Sequence, residues 1–416
     1  MARLSGLTAG PPVASLLDVD FYKFTMGQFV FRRHPEVRVR YELLCRTPDV
    51  RLADLVPEGE FRDALEAIRS LAFTPAELGY LRGLKPPGLF RDDYLNFLAQ
   101  LRLPPVELEA RDGGFHLEVE APWPEMILWE TLILSALSEL LSRAALAGGG
   151  PGAWEQAEAR GRERLERKIA VLREHPAIRF ASFGTRRRFS RAWQFALEER
   201  LARALPDQFA GTSCVASAFE HGLAPVGTIA HEIFMVGAAV GDGSDESVRG
   251  SQRRMLDAWW EMYGEPFSLF LTDTWGSEFF FADAGEARAR RFRGVRQDSG
   301  DPAAFGERTI RWYEAFGVDP RQKALVFSDG LELPEILELE SRFAGRIGVS
   351  YGWGTNLTND CGVPNYSLVV KPVAAHGRPL VKLSDNPGKS TGITDEIRRY
   401  RGIFGARAAP LRVPKY

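Results

Sequence analysis

His231 and Glu232 close the segment Gly227-Thr228-Ile229-Ala230-His231-Glu232, where a backbone turn, a hydroxyl, an imidazole and a carboxylate follow a short apolar run. An imidazole titrates near neutrality and can serve as nucleophile or proton carrier. Glu232 and Thr228 stand close enough in sequence to orient its ring. A lone histidine on an apolar run is ordinarily a satisfied core residue, but further segments of this chain carry chemistry of the same kind.

Phe183-Gly184-Thr185-Arg186-Arg187-Arg188 sets three guanidinium groups at a turn. On a solvated face such a run does nothing specific, whereas at a strand end it can grip carboxylate or phosphate oxygens in bidentate fashion. Gly211-Thr212-Ser213 offers amides and a hydroxyl to an anion, or an ordinary helix cap. Val295-Arg296-Gln297-Asp298-Ser299-Gly300-Asp301 interleaves a cation, two carboxylates, a hydroxyl and a glycine. Carboxylates at that density suit ribose hydroxyls or a magnesium ion, while Asp301, just before Pro302, reads as a helix cap. Ser328-Asp329-Gly330 and Gly352-Trp353-Gly354-Thr355-Asn356 complete the set, the latter with glycines that let backbone approach a phosphate.

These segments follow short apolar runs at 178–183, 226–230, 269–272, 294–296, 324–328 and 347–351, separated by stretches long enough for helices. That alternation predicts a parallel sheet with crossover helices, as an α/β barrel with its site at one rim or an open doubly wound sheet. His231 is thereby expected at a strand mouth. Upstream, 37–45 and 115–120 alternate as antiparallel strands do, 61–69 has helical spacing, and 122–141 reads as one long apolar helix starting at a proline. Residues 367–374 and 380–383, joined through Gly377, form a hairpin able to rejoin the first region. The expected organisation is an α+β domain over 1–140, completed by 367–416, and an α/β domain over 141–366.

With 416 residues, two domains are the default. A formal net charge of −2 gives no global field for nucleic acid or membrane, so anion binding has to be local. Cys45, Cys214 and Cys361 are widely spaced and form no CxxC pair, which argues against a disulfide framework or zinc site and fits a reducing cytosol. No run approaches the roughly 18 apolar residues of a membrane span, and 1–12 lack the marks of a signal or transit peptide. A cytoplasmic protein is expected.

The chain resembles nicotinate phosphoribosyltransferase nearly end to end, through Leu17-Asp18-Val19-Asp20-Phe21-Tyr22-Lys23, the segments above, Leu357-Thr358-Asn359-Asp360 after the GWGTN motif, and Lys382-Leu383-Ser384-Asp385-Asn386-Pro387-Gly388-Lys389. The resemblance implies an irregular α/β barrel of the type II phosphoribosyltransferase kind, with a second α+β domain built from both chain ends. It also implies a homodimer with sites at the interface. The implied reaction moves the phosphoribosyl group of phosphoribosyl pyrophosphate onto nicotinate, giving nicotinate mononucleotide and pyrophosphate for NAD biosynthesis, coupled to ATP hydrolysis with Mg2+ as cofactor. His231 aligns with the histidine that ATP phosphorylates, and Glu232 is expected to orient its ring. Arg296 and Thr228 align with residues around nicotinate, Arg186 is the second cation for its carboxylate, and Ser213 lies beside the substrate. Tyr22 is expected to stack on the pyridine ring from the partner subunit, Asp298 to bind the ribose hydroxyls, and Gly354 and Thr355 to hold the 5-phosphate. Cys214 stands where many relatives carry Asn, and Trp353 where a smaller aliphatic is common. A nicotinamide or quinolinate enzyme of the same fold, or a non-catalytic pyridine sensor, are the rival readings.

Overall fold

The computed structural model describes residues 10–405, so the outermost parts of the 1–140 and 367–416 segments lie outside the described residues. Two sheets organise the chain. The first is antiparallel, with spatial order β11-β10-β1-β3-β2, built from β1 (Arg38–Cys45), β2 (Glu107–Arg111), β3 (Gly114–Pro122), β10 (Leu368–Ala375) and β11 (Arg378–Pro379). Strand β1 alternates as its sequence requires, turning Val39, Tyr41 and Leu43 inward. Its register with β10 runs from Val39 opposite Ala375 to Cys45 opposite Leu368, so the late hairpin does rejoin the early region.

The return limb of that hairpin is shorter than predicted. After Pro379 the Leu380 amide still bonds Val373 O, but the Leu383 amide donates instead to Thr274 O, in the loop after the strand Leu269–Leu271 of the other sheet. The chain therefore crosses over rather than extending the ladder. The predicted helix over 122–141 is also two helices, Trp123–Met126 and Trp129–Ala147. The second is buried on every side through Ser142 and packs against β10, the helix Glu58–Arg69 and the turn Thr185–Arg187. Its uninterrupted apolar character is that of a helix with no solvent face. Among the described residues no helix is long and apolar enough to cross a membrane.

The second sheet is parallel, in the order β5-β4-β9-β8-β7-β6. Its strands are β4 (Phe180–Ser182), β5 (Phe209–Thr212), β6 (Leu269–Leu271), β7 (Gly294–Gln297), β8 (Ala324–Phe327) and β9 (Gly348–Trp353). Helices such as Arg191–Ala204, Ser277–Arg291, Pro302–Ala315 and Leu333–Phe343 make the crossovers. Asp301 caps Pro302–Ala315, accepting from the Ala304 amide at 2.8 Å.

One sequence expectation is corrected. The run 226–230 is not a strand, and Phe209–Thr212 takes its place in the sheet. The mixed α/β fold is as expected, and β5 and β6 are the two edges of the hydrogen-bonded ladder. Residues 224–228 lie along the gap between them. The Thr212 amide donates to Ala224 O and the Val226 amide to Thr212 O on one side, while Thr228 Oγ1 donates to Leu269 O on the other. Pro225, with no N–H, and Gly227, at φ +146°, prevent a regular ladder here. Gly211 permits the approach, because a Cβ on it would lie 2.1 Å from Ala224 O.

Candidate active site

The strand ends of the parallel sheet open into a cavity whose opposite wall comes from the first sheet and its helices. From the parallel side come Arg186 after β4, Ser213 after β5, Arg296 and Asp298 at the end of β7, Asp329 after β8, and Gly354 with Thr355 after β9. From the other side come Tyr22, Glu130 and Lys371. The loop after β11 adds Lys382 and Lys389.

His231 reaches this cavity from the first turn of the helix His231–Ala239, not from a strand mouth. Its ring is buried, with Nδ1 3.0 Å from Thr274 Oγ1 and Nε2 2.9 Å from Asp298 Oδ2. Burial, reinforced by Lys382, pulls its pKa down to about 4 against the opposing pull of Asp273 and Asp298. The ring is thus neutral at physiological pH. An ionised carboxylate can only accept, so the proton sits on Nε2 facing Asp298 and Nδ1 accepts from the Thr274 hydroxyl. Asp298 stays ionised: burial acts to raise its pKa, but the His231 hydrogen bond and the Arg296 charge more than reverse that.

Glu232 and Thr228 do not line the cavity. Successive helical residues point about 100° apart, and Glu232 accordingly faces away from its neighbour's ring. Its carboxylate accepts from Lys23 Nζ at 2.7 Å, from Trp123 Nε1 at 2.5 Å and from the Tyr41 hydroxyl. The ring is oriented by Thr274 and Asp298 instead. Thr228 likewise gives its hydroxyl to Leu269 O, 2.7 Å away, and helps close the sheet gap.

The two arginines expected to meet a carboxylate differ in their surroundings. Arg186 is already engaged, with Nε 3.3 Å from Asp20 Oδ2 and Nη1 3.4 Å from Glu130 Oε1. Arg296 is buried, its nearest charge is Asp298 at 4.0 Å, and its Nε has no hydrogen-bond partner among the described residues. A desolvated guanidinium in that condition favours an anionic ligand. Ser213 Oγ donates to Asp20 Oδ1 at 2.7 Å, which fixes its rotamer beside Arg186. Tyr22 lines the cavity within this chain.

Family models decide the kinship. The model of the nicotinate phosphoribosyltransferase (NAPRTase) N-terminal domain matches residues 17–138, and that of the nicotinate phosphoribosyltransferase (NAPRTase) family matches residues 178–406. The chain belongs to the nicotinate phosphoribosyltransferase family. Its fold is similar to the crystal structure of nicotinate phosphoribosyltransferase from Porphyromonas gingivalis, with 31% identity and a TM-score of 0.84 over 95% of this chain and 100% of that one. It is equally similar to the nicotinate phosphoribosyltransferase from Vibrio cholerae, at 31% identity and a TM-score of 0.86 over 97% of this chain and 96% of that one.

Within this family member several cavity residues carried no role in the sequence reading. Lys371, on β10, bonds Glu130 at 3.0 Å, and burial lowers its pKa to about 8. Glu130 is one of two acids in a largely apolar helix, and the sequence does not separate it from Glu139. Asp20, Asp329, Lys382 and Lys389 sit inside motifs already singled out, yet nothing in the motifs tells which of their side chains turns inward. The lining holds seven Lys or Arg side chains against four carboxylates, so the local positive field that the net charge left open exists here. Cys214 is fully buried, burial pushes its thiol pKa well up, and it does not line the cavity. Packing accounts for it. Trp353 is buried too, with Lys168 Nζ 5.2 Å from its ring centroid.

The oxygen donors also fit a magnesium ion. Asp298 and Asp329 line the cavity, and Asp273 Oδ1, buried and without a hydrogen-bond partner among the described residues, lies 3.6 Å from His231 Nε2. Hard divalent cations take such carboxylates together with phosphate oxygens.

Proposed function

We propose that the chain transfers the 5-phosphoribosyl group of phosphoribosyl pyrophosphate to nicotinate, releasing pyrophosphate and nicotinate mononucleotide in NAD biosynthesis, with ATP hydrolysis coupled through a phosphohistidine at His231. The carrying observation is the buried, under-partnered Arg296 in one cavity with Tyr22 and the His231–Asp298 pair. The names of the similar structures support the same substrate.

In this reading the pyridine nitrogen attacks C1 of the ribose while the bond from C1 to the pyrophosphate oxygen breaks. Arg296 holds the nicotinate carboxylate, Tyr22 offers its ring to the pyridine, and Gly354 with Thr355 receive the 5-phosphate. Positioning and charge carry such a step. Magnesium, held by Asp298 and Asp329 near Asp273, would neutralise the leaving pyrophosphate. In the ATP half-reaction the ring takes the tautomer with its proton on Nδ1 toward Thr274, so the Nε2 lone pair attacks the γ-phosphorus as the bond from that phosphorus to the ADP oxygen breaks and ADP leaves, while Asp298 stays ionised. The new N–P bond ends the contact between His231 and Asp298 and frees that carboxylate for the ribose hydroxyls. Water later cleaves the N–P bond. A cytoplasmic homodimer belongs to the same proposal.

The test is turnover of radiolabelled nicotinate with phosphoribosyl pyrophosphate, with and without ATP, alongside nicotinamide and quinolinate. Nicotinate should be the preferred acceptor, and equal use of nicotinamide overturns the reading. Arg296→Met removes charge-assisted bonds of about 1.5–3 kcal/mol, so the nicotinate KM should rise by roughly 10- to 100-fold. An unchanged KM removes Arg296 from acid recognition.

A further inference from the structure

Lys382 and Lys389 reach the cavity from one loop, and that loop is held by contacts the reaction itself does not use. The backbone closes at its base, where Lys382 N–H donates to Thr391 O and Thr391 N–H to Lys382 O, at 2.9 and 3.0 Å. At its tip Lys389 Nζ donates to Asp298 O at 2.9 Å and pairs with Asp329. Lys382 Nζ stands 3.5 Å from Asp273 Oδ2. Between the lysines the loop is pinned by Asp385. Its Oδ1 accepts from the Ser277 amide at 2.8 Å and its Oδ2 from the Ser277 hydroxyl at 2.5 Å, at the start of the helix Ser277–Arg291. Its own amide donates to Ser299 Oγ at 3.1 Å.

The backbone is shaped to admit this carboxylate. Ser384 adopts φ +61°, an uncommon conformation for a residue with a side chain. Gly300, at φ +82°, comes so close that a Cβ on it would lie 3.2 Å from Asp385 Cβ. A strained residue and a close glycine on either side of one half-buried acid mark a position that the surrounding structure over-determines.

We propose that Asp385 is a positioning residue for polyphosphate binding: it holds the 382–391 loop so that Lys382 and Lys389 face the pyrophosphate of the donor. The inference rests on the proposed function for the identity of that donor, but its anion chemistry can be measured without turnover. Inorganic pyrophosphate is the probe, titrated calorimetrically into the wild type and three variants of the full chain. Asp385→Asn keeps the size of the side chain and loses one acceptor, and it should weaken pyrophosphate binding by about tenfold, the scale of one charge-assisted bond. Because Asp385 acts through the lysines, Asp385→Asn in a Lys389→Met background should cost less than it does alone. Gly300→Ala, which pushes on Asp385 without altering it, should reproduce the loss if Asp385→Asn proves too unstable to purify. Wild-type affinity in Asp385→Asn or in Gly300→Ala, fully additive losses in the double variant, or no pyrophosphate binding by the wild type overturns the inference. Failure of nicotinate transfer with these binding differences intact would instead count against the proposed reaction alone.

Discussion

Incubated with γ-labelled ATP, the His231→Ala variant should incorporate no phosphate, and its turnover should no longer respond to ATP. The wild type should do both. The expectation follows from geometry: His231 lines the cavity with its Nε2 2.9 Å from Asp298 Oδ2, and among the described residues no second histidine lines the site. Phosphoryl acceptance needs a neutral ring, and burial has lowered the pKa of this one to about 4. Labelling should therefore persist well below the ordinary histidine range and fall only toward about pH 4. Stability carries the same signature. An unfolded His231 takes up a proton near its usual 6.5 while the folded ring refuses one until about 4, so this group's contribution is complete above 6.5 and is lost as pH falls toward 4. His231→Asn should flatten that part of the stability curve. Undiminished phosphate incorporation in His231→Ala removes this residue from the ATP half-reaction.

The second large effect concerns folding. Lys23 has no exposure and bridges Glu130 Oε2 and Glu232 Oε2 at 2.7 Å each. Burial alone would lower its pKa, yet the two carboxylates hold it above its usual value. Burial likewise acts to raise Glu130, but Lys23, Lys371 and Arg186 hold it well below the carboxylate range. Lys23 and Glu130 are both ionised throughout the neutral range, and the stabilisation on the Glu130 side is lost only as pH falls below the usual carboxylate value of 4.5. Lys23→Met leaves the buried Glu232 without its cation and takes one of three from Glu130, which typically costs about 3–5 kcal/mol, read as a drop in the urea midpoint at unchanged m-value. Adding Glu232→Gln should recover much of that loss, since an amide needs no counter-ion, while Glu130 keeps Lys371 and Arg186. If Lys23→Met alone unfolds at the wild-type urea concentration, the triad is not what ties the helix Tyr22–Arg33 to the helix His231–Ala239.

How much of this was legible beforehand depended on whether the relevant partners were local. The apolar runs leading to β4, β6, β7, β8 and β9 stood out because buried parallel strands carry branched and aromatic residues without polar interruption. Strand β5 escaped because Phe209–Thr212 contains an alanine and a glycine in four residues. The 226–230 run was misread because apolar character serves a gap-filling loop as well as a strand. His231 still arrived at the predicted rim, since a helix that follows the loop starts where a strand would have ended. Its orientation was misjudged: adjacency to Glu232 implied contact, whereas the working partners, Thr274 and Asp298, lie 43 and 67 residues away. Glu130, Lys371 and Lys23 converge from different elements, and no local pattern announces such a meeting. The motifs shared with the family carried the rest of the site.

The seam between β1 and β10 has a consequence for biogenesis. A strand made early must pair with one made about 320 residues later. Until then β1 presents a bare edge on its Arg38–Cys45 flank, the kind of edge that recruits foreign strands. Nascent chains stalled before residue 368 should accordingly be chaperone-dependent and prone to aggregate, and trimming the tail through β10 should yield insoluble material instead of a smaller enzyme.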